Sequence, residues 1–555
     1  EQVLNTLKNI HEAKTLIEIN DLLNLKTAEE LKELQDTLNA LINEYLVFYT
    51  KKGKYILLKN CPSLKIGKLS VNKKGFGFVI LPEEDDIYID KTNLKDAISD
   101  DIVLCEVTSK GDRPEGKIVK IIKRDLKNVV GEVYVKQHKM YLKLDDSSKD
   151  ISVLLNPDTT HNCVEGHKVL VEITERLKNH LYLGDVLKII GHKNDPQVDI
   201  LSIAYKYGIY EDFNPRVIEE LDDIPDEVDS SELKNRRDLT DKVIFTIDGD
   251  DTKDIDDAIS LEKDGDNYVL GVHIADVSNY VKENTALGDE AYNRGTSSYL
   301  ADTVIPMLPH KLSNGICSLN EGVIRLSMSC VMTYNPEGQL VSYDIFPSYL
   351  KSRKKMTYKN VNKIIMENTI PDGYEDFADT LKEMHKLAKI LRKAKERRGY
   401  IDFDLDEVKI IQDEKGCAID IEKRVRGEGE KLIEDFMIAA NECVASHIYN
   451  MDLPFIYRIH EVPKPEKIEE FMTMVKILGY RIRTNTKEIT PRTMQSILSE
   501  LKDKKESAIL SEMLLRSMRK AEYSSENLGH FGIASRAYTH FTSPIRRYPD
   551  LEVHR

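Results

Sequence analysis

Lys242–Glu262 reads KVIFTIDGDDTKDIDDAISLE, and the reading of the second half of the chain turns on it. The β-branched and aromatic run Val243–Ile247 predicts a strand that delivers Asp248 at its end. Gly249, Asp250 and Asp251 then read as a turn, and Asp254, Asp256 and Asp257 lead into a second apolar run at Ala258. Six aspartates in ten residues repel one another and raise one another's pKa unless a cation compensates. Hard oxygen ligands favour Mg²⁺ or Mn²⁺ over zinc or copper. Magnesium keeps several waters and accepts phosphate oxygens, so the chemistry indicated is metal-assisted attack on a phosphoester. Apolar segments on both sides disfavour a merely solvated acidic turn. The order of the acids departs from an EF-hand calcium loop, and no G-x-x-x-x-G-K-[ST] phosphate loop occurs.

Around this cluster lie 555 residues, 41% apolar and 32% charged, enough for three or four domains and unlike a disordered or collagenous chain. No apolar run approaches the length of a membrane span, and no basic leader precedes an apolar signal core. Seven scattered cysteines without a C-x-x-C pair suit a reducing cytoplasm and argue against structural zinc. The net charge of −15 is a weak argument against a nucleic-acid partner, because phosphate contacts depend on local basic surface. The chain starts at Glu1 and stops in mid-pattern at Arg555, the expectation being a fragment of a longer protein.

Residues 1–60 are expected to form a winged-helix-like domain. Thr27 and Glu30 have capping-box spacing, and Leu31, Leu34, Leu38, Leu41, Ile42 and Tyr45 recur at helical period. Two short runs around a Lys-Lys-Gly-Lys turn then form the wing, a possible nucleic-acid contact, against the plainer reading of a packing domain with solvated lysines. Residues 61–125 read as a cold-shock or oligonucleotide-binding (OB) barrel. In Lys73-Lys74-Gly75-Phe76-Gly77-Phe78-Val79, alternation puts Phe76 and Phe78 on one face, where bases can stack while lysines track phosphates. The competing reading makes both phenylalanines barrel core. Residues 126–190 read as a second such barrel without the aromatic pair. Residues 191–235 form a polar connection with a helix around Asp199–Ile209, and mixed α/β structure follows over 236–555. There Lys382, Lys386, Lys389, Lys393 and Arg397 share a stripe read mainly as a solvated face. Leu381, Met384, Ala388 and Leu391 lie on an apolar one.

The segments TIDGDDTKDIDDAISL (246–261), HIADVS (273–278), YLADTVIPMLPHKLSNGICSLNEG (299–322) and FGIASRAYTHFTSPIRRYPDLEVHR (531–555) together resemble the RNase II/RNase R (RNB) family of exoribonucleases. The resemblance runs from about residue 60 to the end, and the helical N-terminus makes it most like the ribonuclease R type. It implies a processive 3′→5′ hydrolase that uses Mg²⁺ (or Mn²⁺) and releases nucleoside 5′-monophosphates. Its substrate would be single-stranded RNA or RNA with a 3′ single-stranded overhang. The expected enzyme is cytoplasmic, monomeric and free of membranes. By position, Asp248, Asp254, Asp256 and Asp257 match the family's catalytic carboxylates. Asp248 and Asp257 would be the most direct metal ligands, Asp256 would position a metal or the attacking water, and Asp254 would hold the cluster together. Asp250 and Asp251 fall outside the set. The resemblance makes Tyr299 and, more loosely, Phe403 the two faces of a clamp on the terminal base, and puts Glu434 near the terminal nucleotide. It makes Arg546 the group that grips the reacting phosphate. Ser543-Pro544 reads locally as a helix start that would put Arg546 and Arg547 in a first turn. Family members continue past this point with the rest of the catalytic domain and a further RNA-binding barrel. Two rivals remain: a ribonuclease II type enzyme stalled by duplex, and a non-catalytic RNA-binding relative.

Overall fold

The computed structural model describes residues 2–555 apart from 9, 11, 44, 45, 51, 62, 73, 82–84, 96, 110–113, 125, 126, 147, 148, 150, 161, 179, 180, 301, 302, 404–406, 414–416, 425, 482–488 and 503. Two compact units, Glu1–Gly208 and Ile209–Arg555, divide the chain. Among the described residues no helix is long and apolar enough to cross a membrane.

In the first unit, helices Gln2–Lys8, Leu16–Leu23 and Ala28–Asn43 precede an antiparallel hairpin of Val47–Tyr49 with Tyr55–Leu57. The Thr27–Glu30 capping box forms: the Glu30 N–H donates to the Thr27 hydroxyl (3.2 Å) and the Thr27 N–H to the Glu30 carboxylate (2.8 Å). Thr15 and Glu18 make a second box, one the sequence reading passed over. Leu34, Leu38 and Leu41 close on Leu7, Ile19, Val47, Tyr55 and Leu57 as the helical period requires. Tyr45 and Lys51 fall outside the described residues.

Strands Leu64–Val71, Gly77–Ile80, Ile87–Ile89, Ile102–Ser109 and Glu115–Lys123 close the first barrel. Its core is Leu69, Val79, Ile87, Ile89, Val103, Cys105 and Ile118, not the phenylalanines. Gly77 and Val79 are buried while Phe78 and Ile80 are exposed, so the strand's alternation turns Phe78 outward. A second barrel closes from Asn128–Lys136, Lys139–Leu144, Ser152–Leu155, His167–Lys178 and Leu181–His192. It does carry an aromatic pair: Tyr134 and Tyr141 face each other across the hairpin, with stacked rings 5.7 Å apart. The expectation of none fails because the two rings come from different strands and share no local spacing.

The second unit is built on a five-stranded sheet, in the order Arg237–Asp238, Leu340–Lys351, Ile324–Tyr334, Asn267–Ala275 and Asp257–Asp264. On one face Ile259, Leu270, Val272, Ile274, Cys330 and Met332 pack against helices Tyr358–Glu367, Ala378–Arg398 and Glu428–Asn450. Leu381, Met384, Ala388 and Leu391 are buried in that layer, and Lys386, Lys389 and Lys393 are exposed, so the basic stripe is the solvated side of the helix. The buried cation is instead Lys395, held by Asp435 at 2.6 Å. Ala258, Ala275, Leu287, Met307, Leu308, Leu312 and Ile316 belong to a second cluster. Helices Pro465–Ile477, Pro491–Leu501 and Ser507–Ser517 build a third.

A buried polar seam crosses four strands of the sheet. Ser260 Oγ meets His273 Nε2 (3.0 Å), His273 Nδ1 meets Ser329 Oγ (2.7 Å), and Ser348 Oγ bonds both Ser329 Oγ (2.6 Å) and Ser327 Oγ (2.8 Å). Burial pushes the His273 pKa down to about 3, so the fold holds it neutral. Its unfolded pKa is near the ordinary 6.5, so the unfolded chain binds the extra proton below that value. Stability from this site is complete above about pH 6.5 and falls by up to ~1.4 kcal/mol per pH unit below it. Thermal melting of the full chain between pH 7 and pH 5 checks this: His273→Gln is expected to flatten the acid limb relative to wild type, and parallel limbs would contradict the assignment.

Candidate active site

Strand Thr246–Asp248 runs parallel to Lys355–Thr357 and leaves Asp248 opposite Thr357. The chain loops out and returns as Asp257–Asp264. The two ends are tied by reciprocal bonds between Phe245 and Ile259, 3.2 and 2.9 Å long. Asp248 and Asp257 therefore lie two or three residues beyond one fixed crossing. The loop between them is pinned from below. Ser318 Oγ accepts from Ile255 N–H (3.1 Å) and donates to the Lys253 carbonyl (2.7 Å), and the Lys355 ammonium donates to the Thr252 carbonyl. Asp250 and Asp251 are exposed.

Burial raises both Asp248 and Asp257 to about 7; the charges of Asp256 and Asp254 add to the rise at Asp248 and that of Asp248 to the rise at Asp257, while Lys355 and Arg546 oppose it at Asp248 and Arg546 and Arg547 at Asp257. Asp248 Oδ2 is buried and has no hydrogen-bond partner. Asp256, 5% exposed, accepts the Ile545 N–H at Oδ1 (2.8 Å), and Arg546 Nε lies 3.5 Å from Oδ2. Burial still pushes its carboxyl well above the usual range. Tyr299, on the hairpin Ser298–Leu300 with Thr303–Ile305, donates its hydroxyl to Asp254 Oδ2 (3.3 Å) and leaves its ring 55% exposed. Asp248, Asp254, Asp256, Asp257, Tyr299 and Arg546 thus form one constellation, linked by these bonds and by the mutual effects of their charges.

Arg546 reaches the cluster by a different route from the one the sequence predicts. Ser543-Pro544 opens a turn, with Arg546 and Arg547 N–H both directed at the Ser543 carbonyl, and the helix begins only at Tyr548. The Ser543 hydroxyl accepts from Arg546 Nη2 (2.9 Å) instead of capping a helix. The turn wins because Asp550, fully buried, accepts both Ser543 N–H (2.8 Å) and Arg547 Nη2 (2.7 Å) and closes the segment on itself.

None of the remaining predicted residues shares a hydrogen bond or ion pair with these six among the described residues. Phe403 packs on the third cluster beside Ile401 and Phe471. Glu434 accepts from the Tyr400 hydroxyl (3.0 Å) and from the Arg426 guanidinium. In the first unit, Phe76 and Phe78 share their face with Tyr88, at centroid distances of 5.4 to 5.8 Å. Lys73 of that motif falls outside the described residues. Sequence reasoning missed Tyr88, Ser318, Lys355 and Asp550, none of which stands in a spacing pattern that marks it.

Among the described residues no three His, Cys, Asp or Glu side chains form a ready-made metal cage. Asp257 and the neighbouring Asp248, with its orphaned buried oxygen, nevertheless fit an ion that takes one or two carboxylates and completes its shell with water and phosphate oxygens. The electrostatics suit phosphoester chemistry, with a partly exposed guanidinium beside the acids, Arg546 Nε lying 3.5 Å from Asp256 Oδ2.

Residues 236–555 match the RNB domain. The chain belongs to the RNB family. Residues 67–121 match the ribonuclease B OB domain and 141–214 the cold shock domain. Ribonuclease R of Thermotoga maritima is 44% identical over 525 residues, covering 93% of this chain and 73% of that protein. Ribonuclease R 1 of Lactococcus lactis is 40% identical over 544 residues, covering 93% and 66%. The structure of Mycoplasma genitalium RNase R in complex with ribose methylated single-stranded RNA superposes with a TM-score of 0.83 at 30% identity, covering 88% of this chain and 78% of that one. The RNB chain described here is a 3′→5′ exoribonuclease of the ribonuclease R type.

Asp248 and Asp257 ionise at the expense of the fold: their raised folded pKa values mean that stability declines as pH rises from about 4 towards 7. Asp248→Asn is therefore expected to raise the melting temperature in EDTA at pH 7.5 or so, by a few degrees on a stabilisation of ~1–2 kcal/mol. A lower melting temperature would show that the two acids do not oppose each other.

Proposed function

We propose that the chain hydrolyses single-stranded RNA, or the 3′ overhang of a partly duplex RNA, processively to nucleoside 5′-monophosphates with Mg²⁺, as a cytoplasmic monomer. The proposed division is 1–60 winged-helix-like, 61–125 and 126–190 barrels, 191–235 linker and 236–555 catalytic. The observation that carries the reading is the half-buried acids Asp248 and Asp257, both held at about 7 by desolvation and neighbouring carboxylates, with the Arg546 guanidinium acting on both. With Asp256 they are the groups that would hold divalent ions, which when bound compensate the acids and lower the pKa of a coordinated water. Mn²⁺ is the natural substitute.

Arg546 keeps 43% of its side chain exposed while Ser543 and Asp256 steady its base, so its open face can meet the phosphate oxygens as negative charge builds. Asp256 sets that direction and anchors the Ile545 amide. Asp254 fixes Tyr299 through the phenol, leaving the ring free to stack on the terminal base whatever its identity. Phe403 is proposed as the opposing face, and Glu434 as a contact of the terminal nucleotide held by Tyr400 and Arg426. The Phe76, Phe78 and Tyr88 surface would gather the strand by sequence-tolerant stacking.

The intact carboxylates favour this reading over a non-catalytic relative, and the three-helix and hairpin N-terminus favours it over an enzyme stalled by duplex. Asp256→Asn is expected to abolish monophosphate release from end-labelled RNA while leaving RNA affinity nearly unchanged, and Arg546→Ala to slow release ~10²–10³-fold. EDTA should stop the wild-type enzyme and Mg²⁺ restore it. Undiminished release by Asp256→Asn would refute its role. A duplex with a 3′ overhang is expected to be digested through; a stop near the junction would move the chain to the stalled type.

A further inference from the structure

Strand Tyr457–Ile459 pairs antiparallel with Glu522–Ser524 and sets Arg458 directly opposite Tyr523. Tyr457 and Ile459 are buried, so alternation brings Arg458 and Tyr523 to the other face, where the Tyr523 ring is 38% exposed. The Arg458 guanidinium lies 4.6 Å from the centroid of that ring. Among the described residues it makes no ion pair, although acids outnumber bases in the chain as a whole. A half-buried guanidinium stacked on an aromatic face and left without a carboxylate is an anion receptor with its fork already oriented.

Three further contacts fix the pair beside the catalytic turn. The Tyr523 phenol is bonded to His540 Nδ1 at 2.7 Å. Burial and the neighbouring arginines push the His540 pKa down to about 2, so the imidazole facing the phenol is neutral. The Arg458 N–H donates to the Tyr538 carbonyl (2.8 Å), and Thr539 Oγ1 donates to the Ile456 carbonyl (2.7 Å). Residues 538–540 run straight into Ser543–Arg547, and the charges of Asp550 and Arg547 act on Tyr523. The stack is thus stitched to the same segment that carries Arg546.

We propose that Arg458, backed by Tyr523, is a binding subsite for a backbone phosphate of the RNA strand that reaches Arg546. The inference rests on the exoribonuclease reading for its ligand, because this unpaired cation and Arg546 are near enough for both charges to act on His540. It adds a contact that acts on the strand without touching the reacting phosphate. The charge takes the phosphate and the ring holds the guanidinium plane, so the two residues contribute differently. Removing the charge weakens binding and lowers its salt dependence; removing the ring weakens binding and leaves the salt dependence in place.

The test is fluorescence anisotropy of a labelled oligoadenylate with the full chain carrying Asp256→Asn, across a salt series. Arg458→Gln added to that parent is expected to raise Kd about tenfold and reduce the slope of log K against log salt by about 0.7. Tyr523→Leu should raise Kd and keep the parent slope, and Arg458→Lys should restore the slope. A purely structural Arg458 would move the melting temperature and not the slope. Unchanged Kd and slope in Arg458→Gln would overturn the subsite, as would an unchanged Kd in Tyr523→Leu should Arg458→Gln fail to fold. Cleavage of the RNA by the Asp256→Asn parent would count against the role of Asp256 alone, since initial anisotropy still reports Kd.

Discussion

The structure of the second unit depends on holding carboxylates together that would separate if free. The Phe245–Ile259 crossing and the Ser318 and Lys355 pins bring Asp248 and Asp257 into one half-buried site, backed by the apolar core of the sheet. An isolated acid pair in low dielectric stays partly protonated, as the raised pKa of each shows. Such an arrangement is a poor way to stabilise a fold and a good way to attract a divalent ion. The local cost is borne by large apolar clusters on both sides of the loop.

The opposite charge is delivered with equal care. Arg546 sits on a turn, not a helix start, and that turn is closed by a buried aspartate with a second oxygen left unpartnered. Buried orphaned acceptors are rare in ordinary packing and cluster where geometry serves a reaction. Asp256 joins the two halves, with one oxygen on the Ile545 amide and the other facing Arg546. Acid loop and arginine turn, nearly three hundred residues apart in sequence, are thereby locked in one register. Arg458, stacked on Tyr523, adds a cation whose backbone is bonded to the segment leading into that turn.

The barrels, the capped helix at Ala28, the outward Phe76 and Phe78 and the acidic hairpin were legible because each is written in local periodicity or spacing. The solvated basic stripe was legible for the same reason. Features that depend on the register between two strands were not: Tyr88 joins Phe78 only through strand pairing, and Tyr134 meets Tyr141 across a hairpin. The turn at Ser543 was misjudged because Ser-Pro carries a helix-start signal, which the tertiary pull of Asp550 overrides. Lys395 gave no sign in sequence of being buried, since its partner Asp435 lies on another helix.

The account stands on the claim that the Asp248–Asp257 site is made for a divalent ion. Titration of the RNA-free chain with Mn²⁺, following the electron paramagnetic resonance signal of the free ion, tests it most directly. Saturable binding that Asp257→Asn removes is the result the account predicts. Binding that is absent, or that survives unchanged in Asp257→Asn, would contradict it.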